Sequence, residues 1–123
     1  MTPHFTAKEL ACKCGCGMLP AQDFMCKIEE LRIRCGFPLP ISSGARCPEH
    51  NARVSATGKT GPHTTGRAID LAVDREKAYI VLCIALVMGF TGIGVQQKGT
   101  GRFIHLDDLP AKEGQPRPTV WGY

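Results

Sequence analysis

The chain has no long apolar run, no basic tract and no leader-like start, and each lack removes a class of function. Its most apolar window, Ala78 to Met88, is eleven residues, whereas spanning a bilayer takes about 20. Membrane insertion is therefore not expected, and the window reads as a buried core helix. The net charge of +4 is mild and scattered, without the clustered Lys and Arg of a nucleic-acid surface, so no nucleic-acid partner is expected. Such a charge suits an anionic surface such as a cell wall, and serves plain solubility equally well. Met1-Thr2-Pro3-His4-Phe5-Thr6 offers neither a basic n-region nor an apolar h-region. The reading is a chain made in the cytoplasm without a signal peptide.

Cysteine, by contrast, is abundant, with seven residues in 123. Without a secretion signal a complete disulfide framework is not expected, and an odd count leaves at least one thiol unpaired. Three thiols stand at alternate positions in Cys12-Lys13-Cys14-Gly15-Cys16-Gly17. Metal knuckles more often place two residues between their cysteines, so this loop has two readings. One is a structural zinc at Cys12, Cys14 and Cys16, completed by Cys26, Cys35 or Cys47. The other is a set of reduced, partly buried thiols.

The length supports one domain over residues 1–123 with a single modest core, and 43% apolar content makes it globular. Thr6-Ala7-Lys8-Glu9 is a capping box, with Phe5 and Leu10 spaced as its hydrophobic staple, so a short helix starts at Thr6. Pro20 is expected at the first turn of a second helix. Phe24, Ile28, Leu31 and Cys35 form its apolar stripe, and Gly36 ends it. A strand is expected over Leu39 to Ser43, then a helix from Pro48 to about Ser55, and a mobile loop from Val54 to Pro62. Asp74 is placed to cap a helix from Arg75 to Met88, with Gly89 as its stop. A strand from Gly92 and another over Phe103 to Asp107 follow. The tail from Pro116 to Tyr123 is too proline-rich for a helix, and its Trp121 and Tyr123 are placed to cover the sheet or flank a groove. The sum is a small α+β domain with a mostly antiparallel sheet flanked by helices.

The chemistry gathers at Gly61-Pro62-His63-Thr64-Thr65-Gly66-Arg67-Ala68-Ile69-Asp70-Leu71. Alternation puts Ile69, Leu71 and Val73 on one strand face, and Ala68, Asp70 and Ala72 on the other. Little bulk surrounds Asp70, and His63 enters from the preceding loop. In Phe103-Ile104-His105-Leu106-Asp107 the same period places Phe103, His105 and Asp107 together. Should the two strands lie side by side, His63, Asp70 and His105 converge. Two imidazoles and one carboxylate leave a coordination position free, the composition of a catalytic rather than a closed zinc site. Arg46, at a strand-to-helix junction, suits bidentate binding of a substrate carboxylate, and His50 lies one turn into the helix that follows.

Several motifs then occur in one order: Ser42-Ser43-Gly44-Ala45-Arg46, Glu49-His50-Asn51, His63 to Leu71, Gly92-Ile93-Gly94, Phe103 to Asp107 and Trp121-Gly122-Tyr123. The series resembles the zinc D-alanyl-D-alanine carboxypeptidase family of metallopeptidases, which includes phage endolysins, over nearly the whole chain. The resemblance implies a hedgehog/D-alanyl-D-alanine-peptidase fold and one catalytic zinc on His63, Asp70 and His105. It implies hydrolysis of peptidoglycan stem peptides or cross-links by a D,D- or L,D-carboxypeptidase or endopeptidase, and a monomer acting at the cell wall or periplasm after holin-type release. It places Arg46 at the scissile bond, in a substrate-binding set with Ser43, His50 and Trp121. Two positions depart from the family pattern. Arg102 stands where many relatives carry the acidic general base, three residues before the last zinc histidine, and Gly61 replaces the usual serine two before the first. Asp107, about 7 Å along the strand from His105, is the expected replacement base. Two rivals stand beside the enzyme: a catalytically inactive, zinc-stabilised cell-wall or protein-binding module on the same fold, and an interaction domain whose only metal sits among the cysteines.

Overall fold

Alternation and capping, rather than long apolar stretches, build the elements. A computed structural model describes residues 1–123. In it, Thr6 and Glu9 close the capping box of α1 (Ala7–Leu10), with Phe5 and Leu10 buried on either side. Helix α2 (Gln22–Cys35) buries Phe24, Ile28 and Leu31 along one stripe and stops at Gly36, whose φ of 75° suits a residue without a Cβ. Strand β1 (Ile41–Ser43) leads into α3 (Pro48–Val54), and a 3-10 turn (Pro62–Thr65) precedes β2 (Ala68–Leu71). Helix α4 (Arg75–Met88) ends at Gly89 and is followed by β3 (Gly92–Gln96), β4 (Phe103–Asp107) and β5 (Thr119–Gly122).

The five strands lie in the order β1-β2-β4-β3-β5. All neighbours are antiparallel except β3 and β5, which run parallel. Helices α2 and α4 pack together against one face. There Phe24, Ile28, Leu31 and Val81 meet Ile69, Leu71, Ile93, Ile104 and Leu106 in a continuous core. Period two sends the other side chains of the same strands to the opposite face. That face carries Asp70, His105 and Asp107, so the apolar face is scaffold and the polar one is free for chemistry.

Four sequence expectations are corrected locally. Pro20 does not open α2: the Ala21 N–H donates to the Gly66 carbonyl (2.8 Å), holding Ala21 extended as the cap, so the helix begins at Gln22. The first strand starts at Ile41 rather than Leu39, because Pro40 has no N–H for a ladder. Asp74 occupies the cap of α4 but makes no side-chain capping bond. The next residue, Arg75, has a left-handed φ of 51°, which turns the first amides away from it. The proline-rich tail is not merely a cover: β5 extends the sheet as its fifth strand.

Register sets the site. Asp70 pairs with His105, His105 with Gly94, and Gly94 with Trp121, a single row across four strands. The neighbouring row runs Ala68, Asp107, Gly92, Thr119. The two glycines of β3 are spaces for larger neighbours. A Cβ on Gly92 would collide with the Asp107 carboxylate, and one on Gly94 would lie 2.7 Å from the Trp121 indole nitrogen. We expect Gly92→Ala to destabilise by about 1–3 kcal/mol through overpacking. Gly122→Ala, with only the Val95 carbonyl 4.0 Å away, should stay within about 0.5 kcal/mol. Urea denaturation checks both, the first as a lower midpoint at unchanged slope.

Candidate metal centre

His63 arrives from the 3-10 turn, Asp70 from β2 and His105 from β4, and all three are almost fully buried, with 6%, 6% and 2% of their surface exposed. His63 Nε2 lies 3.2 Å from Asp70 Oδ1, and His105 Nδ1 lies 3.0 Å from the same oxygen. The remaining imidazole nitrogens are spoken for. His63 Nδ1 donates to the Gly44 carbonyl (2.8 Å), and His105 Nε2 donates to Asp107 Oδ2 (2.8 Å). Both partners are pure acceptors, so the proton of each neutral imidazole sits on the outer nitrogen. In that tautomer two nitrogen lone pairs and a carboxylate oxygen face one another, a set suited to a cation; a proton on His105 Nδ1 instead makes its 3.0 Å contact a hydrogen bond to Asp70.

The donor set fits zinc. Bonds of about 2.0–2.1 Å to nitrogen and oxygen make tetrahedral donor–donor edges of about 3.3 Å, close to the two separations found here. Each histidine also has its outer nitrogen held by an oxygen, the arrangement that sets tautomer and ring direction in zinc proteins.

Charge follows from the same contacts. Burial alone would raise the Asp70 carboxyl, but hydrogen bonding with His105 and then His63 outweighs it and holds the group far below the usual carboxylate range. Burial would lower His105, yet its bonds to Asp107 and Asp70 raise it. Asp107 is pushed up by burial and brought down further by His105 and Arg117.

Asp107 is held on both of its oxygens. It is fully buried, and its oxygens accept from His105, from the Leu109 amide (3.3 Å) and from Arg117 through Nε (2.9 Å) and Nη2 (2.8 Å). Strand alternation put it on the correct face, but the Arg117 fork and the His105 ring close it off from the cavity. Asp107, expected from the sequence as the general base, does not line the metal cavity, and its contacts are those of a carboxylate that can orient His105. Arg117 went unread because nothing local marks a tail arginine as the partner of a carboxylate ten positions earlier. The one available signal is that a buried aspartate needs a cation.

Of the remaining expected residues, Arg46 and Trp121 line a cavity of about 270 Å³ together with His63, Asp70, His105 and Tyr123, and Ser43 and His50 do not. Arg46 donates through Nε to Ser43 Oγ (2.9 Å) and through Nη1 to Asn51 Oδ1 (3.0 Å), leaving Nη2 3.6 Å from Asp70 Oδ2. Ser43 thus meets Arg46 rather than the cavity. Asn51, nearly fully buried, also donates to Thr57 Oγ1 (2.8 Å) and the Gly58 carbonyl, tying down the loop before His63. His50 lines an adjoining cavity of about 310 Å³ with Lys13, Ser42 and Ser43, which shares Arg46 and Val54 with the metal cavity. The Trp121 ring lies tilted 5.0 Å from the His105 ring, and the Arg117 guanidinium is 5.2 Å from the indole centroid. A larger groove of about 720 Å³ shares Thr57, Pro62 and Trp121 with the metal cavity and runs out along Lys112 to Arg117.

Two imidazoles and a carboxylate lining this cavity form a group that could hold a metal ion. The sequence model of the peptidase M15 family matches residues 3–107. The chain belongs to that family of zinc-dependent metallopeptidases. No curated protein matches it. No helix is long and apolar enough to cross a membrane.

Two outcomes are expected. In metal-free protein the raised His105 pKa means its protonation stabilises the fold below about pH 6.5, the free-imidazole value, and that contribution disappears as pH rises through the raised pKa. Zinc needs the same lone pair, so its stabilisation grows over that window and weakens below it. Melting temperatures with and without zinc should therefore diverge as pH rises. Asp107→Asn should raise the zinc dissociation constant roughly 10–100-fold, read by chelator competition; a pure proton acceptor would leave that constant unchanged.

Proposed function

We propose that residues 1–123 form a single zinc peptidase domain that hydrolyses peptide bonds in peptidoglycan stem peptides or cross-links, as an endolysin of the phage or prophage type. The observation that carries this reading is the meeting of His63 Nε2, His105 Nδ1 and Asp70 Oδ1 in a cavity open to a groove. Zinc bound there supplies Lewis acidity to a substrate carbonyl and acidifies water. Arg46 reaches the cavity with one Nη free of side-chain acceptors other than Asp70, and binds a substrate carboxylate or the developing oxyanion. Ser43 and Asn51 hold that guanidinium in place. Trp121 and Tyr123 form the wall, and the adjoining groove accommodates the chain on either side of the cut bond. Asp107 and Arg117 keep His105 in the required tautomer. The site of action is the cell wall, reached after release from the cytoplasm.

A second reading, a zinc-stabilised wall-binding module without turnover, is favoured by one observation: no carboxylate other than Asp70 lines the metal cavity. Digestion of purified peptidoglycan separates the two. Zinc-loaded protein should release new muropeptide ends, and mass spectrometry of these assigns D,D-carboxypeptidase, D,D-endopeptidase, L,D- or L-alanyl-D-glutamate specificity. His105→Ala should lose activity and the ion shared with His63 and Asp70. Arg46→Ala should keep the metal and lose roughly 10²–10³-fold in kcat. Full zinc occupancy with intact peptidoglycan and retained wall binding would leave the module reading standing.

A further inference from the structure

We propose that Cys12, Cys14, Cys16 and Cys47 hold a second, structural zinc ion that clamps the loop after α1 onto the start of α3. Their four sulfurs all lie within 4.8 Å of one another. Cys12 Sγ is 3.4 Å from Cys14 Sγ, and Cys14 Sγ is 3.6 Å from Cys47 Sγ. Four thiolates at about 2.3 Å from a zinc ion stand about 3.8 Å apart along each tetrahedral edge. A disulfide needs about 2.05 Å, and all seven cysteines are free. The sequence left Cys26, Cys35 and Cys47 open as the fourth partner. Folding selects Cys47, 33 residues from Cys14, and leaves Cys26, Cys35 and Cys83 outside the group.

Burial does not explain the cluster. Cys14 and Cys16 are exposed, and only Cys12 is buried, so these are not core thiols sheltering from water. Backbone turns bring the alternate positions to one point: Gly15 and Gly17 adopt φ of 86° and 88°, left-handed values open to glycine at little cost. The Cys12 amide closes the loop on the Met18 carbonyl (2.9 Å). Two sulfurs already accept backbone amides, Cys12 from the Cys47 N–H (3.3 Å) and Cys47 from the His50 N–H (3.4 Å). Such donors compensate the negative charge that four thiolates bring to a divalent cation. With four protein ligands the coordination is closed and no position is left for water, so the ion is structural.

What it holds is the other metal site. Cys47 follows Arg46 directly and caps α3, and Gly44, three residues earlier, supplies the carbonyl that orients His63. The segment from Gly44 to Cys47 is tied to α1 by the Ala45 N–H on the Leu10 carbonyl (2.9 Å). Four metal–sulfur bonds give the loop before α2, which has no helix or strand of its own, a covalent-strength anchor to that segment.

The test counts metal and reads its ligands, independently of any peptidase activity. Protein purified from zinc-supplemented culture should contain two zinc ions per chain, Cys47→Ser one, His63→Ala one, and Cys26→Ser two. X-ray absorption of His63→Ala should show a pure sulfur shell at about 2.3 Å. Cobalt in place of zinc should give intense thiolate-to-metal charge transfer in the same variant. Should Cys47→Ser fail to fold, the two spectroscopic readings on His63→Ala still decide. One zinc per wild-type chain with no sulfur in its first shell overturns the proposal, as does a disulfide among the four cysteines in protein purified under reducing conditions.

Discussion

Three lone pairs aimed at one point are the constraint on which this molecule turns. His63 Nε2 and His105 Nδ1 stand about as close to Asp70 Oδ1 as donors on a common ion do, a set that a cation or a shared proton bridges. Left alone, such a group would relax by rotating a ring or protonating. It is held by neighbours that do not themselves face the cavity: the Gly44 carbonyl behind His63, and the Asp107–Arg117 pair behind His105. Those neighbours are buried and mutually satisfied, which makes the arrangement stiff. A cation-binding face is thus built from interactions that involve no metal ion.

The division of the sheet makes this affordable. One face is given to α2 and α4 and to an apolar core without polar interruption. The other collects the ionisable residues, and the glycines of β3 leave room for Asp107 and Trp121 between strands about 4.8 Å apart. A domain of this size has little apolar surface to bury, so separating scaffold from chemistry by strand face uses the same backbone twice.

Much of this could be read from the residues. Period two in Ala68 to Leu71 and in Phe103 to Asp107 assigned the ligands to faces correctly, and caps and stops located the helices to within a residue or two. The features that escaped are long-range. Alternation says which side of a sheet Asp107 faces, but not that Arg117 and His105 will close over it. Proline in the tail argued against helix without disclosing that Thr119 to Gly122 would find the open edge of β3. Cys47 is separated from the Cys12 loop by a helix and a strand, and only their packing brings it in. His50, one residue from Asn51, looked the more chemical of the two. The amide rather than the imidazole is what reaches Arg46.

The row from Asp70 to Trp121 also bears on the order in which the chain acquires its properties. Its β3–β4 step, His105 to Gly94, is a local hairpin contact, but Asp70 and His105 are 35 positions apart, and such a closure comes late because its entropy is spent before its contacts form. The turns within each helix need no such closure and precede it. The ligand row is therefore among the last parts of the structure to exist, and metal capture becomes a report that the sheet has reached its native register. A strand slipped by one residue would turn Asp70 or His105 toward the helices, and that misfolded species would be marked by its failure to retain the ion.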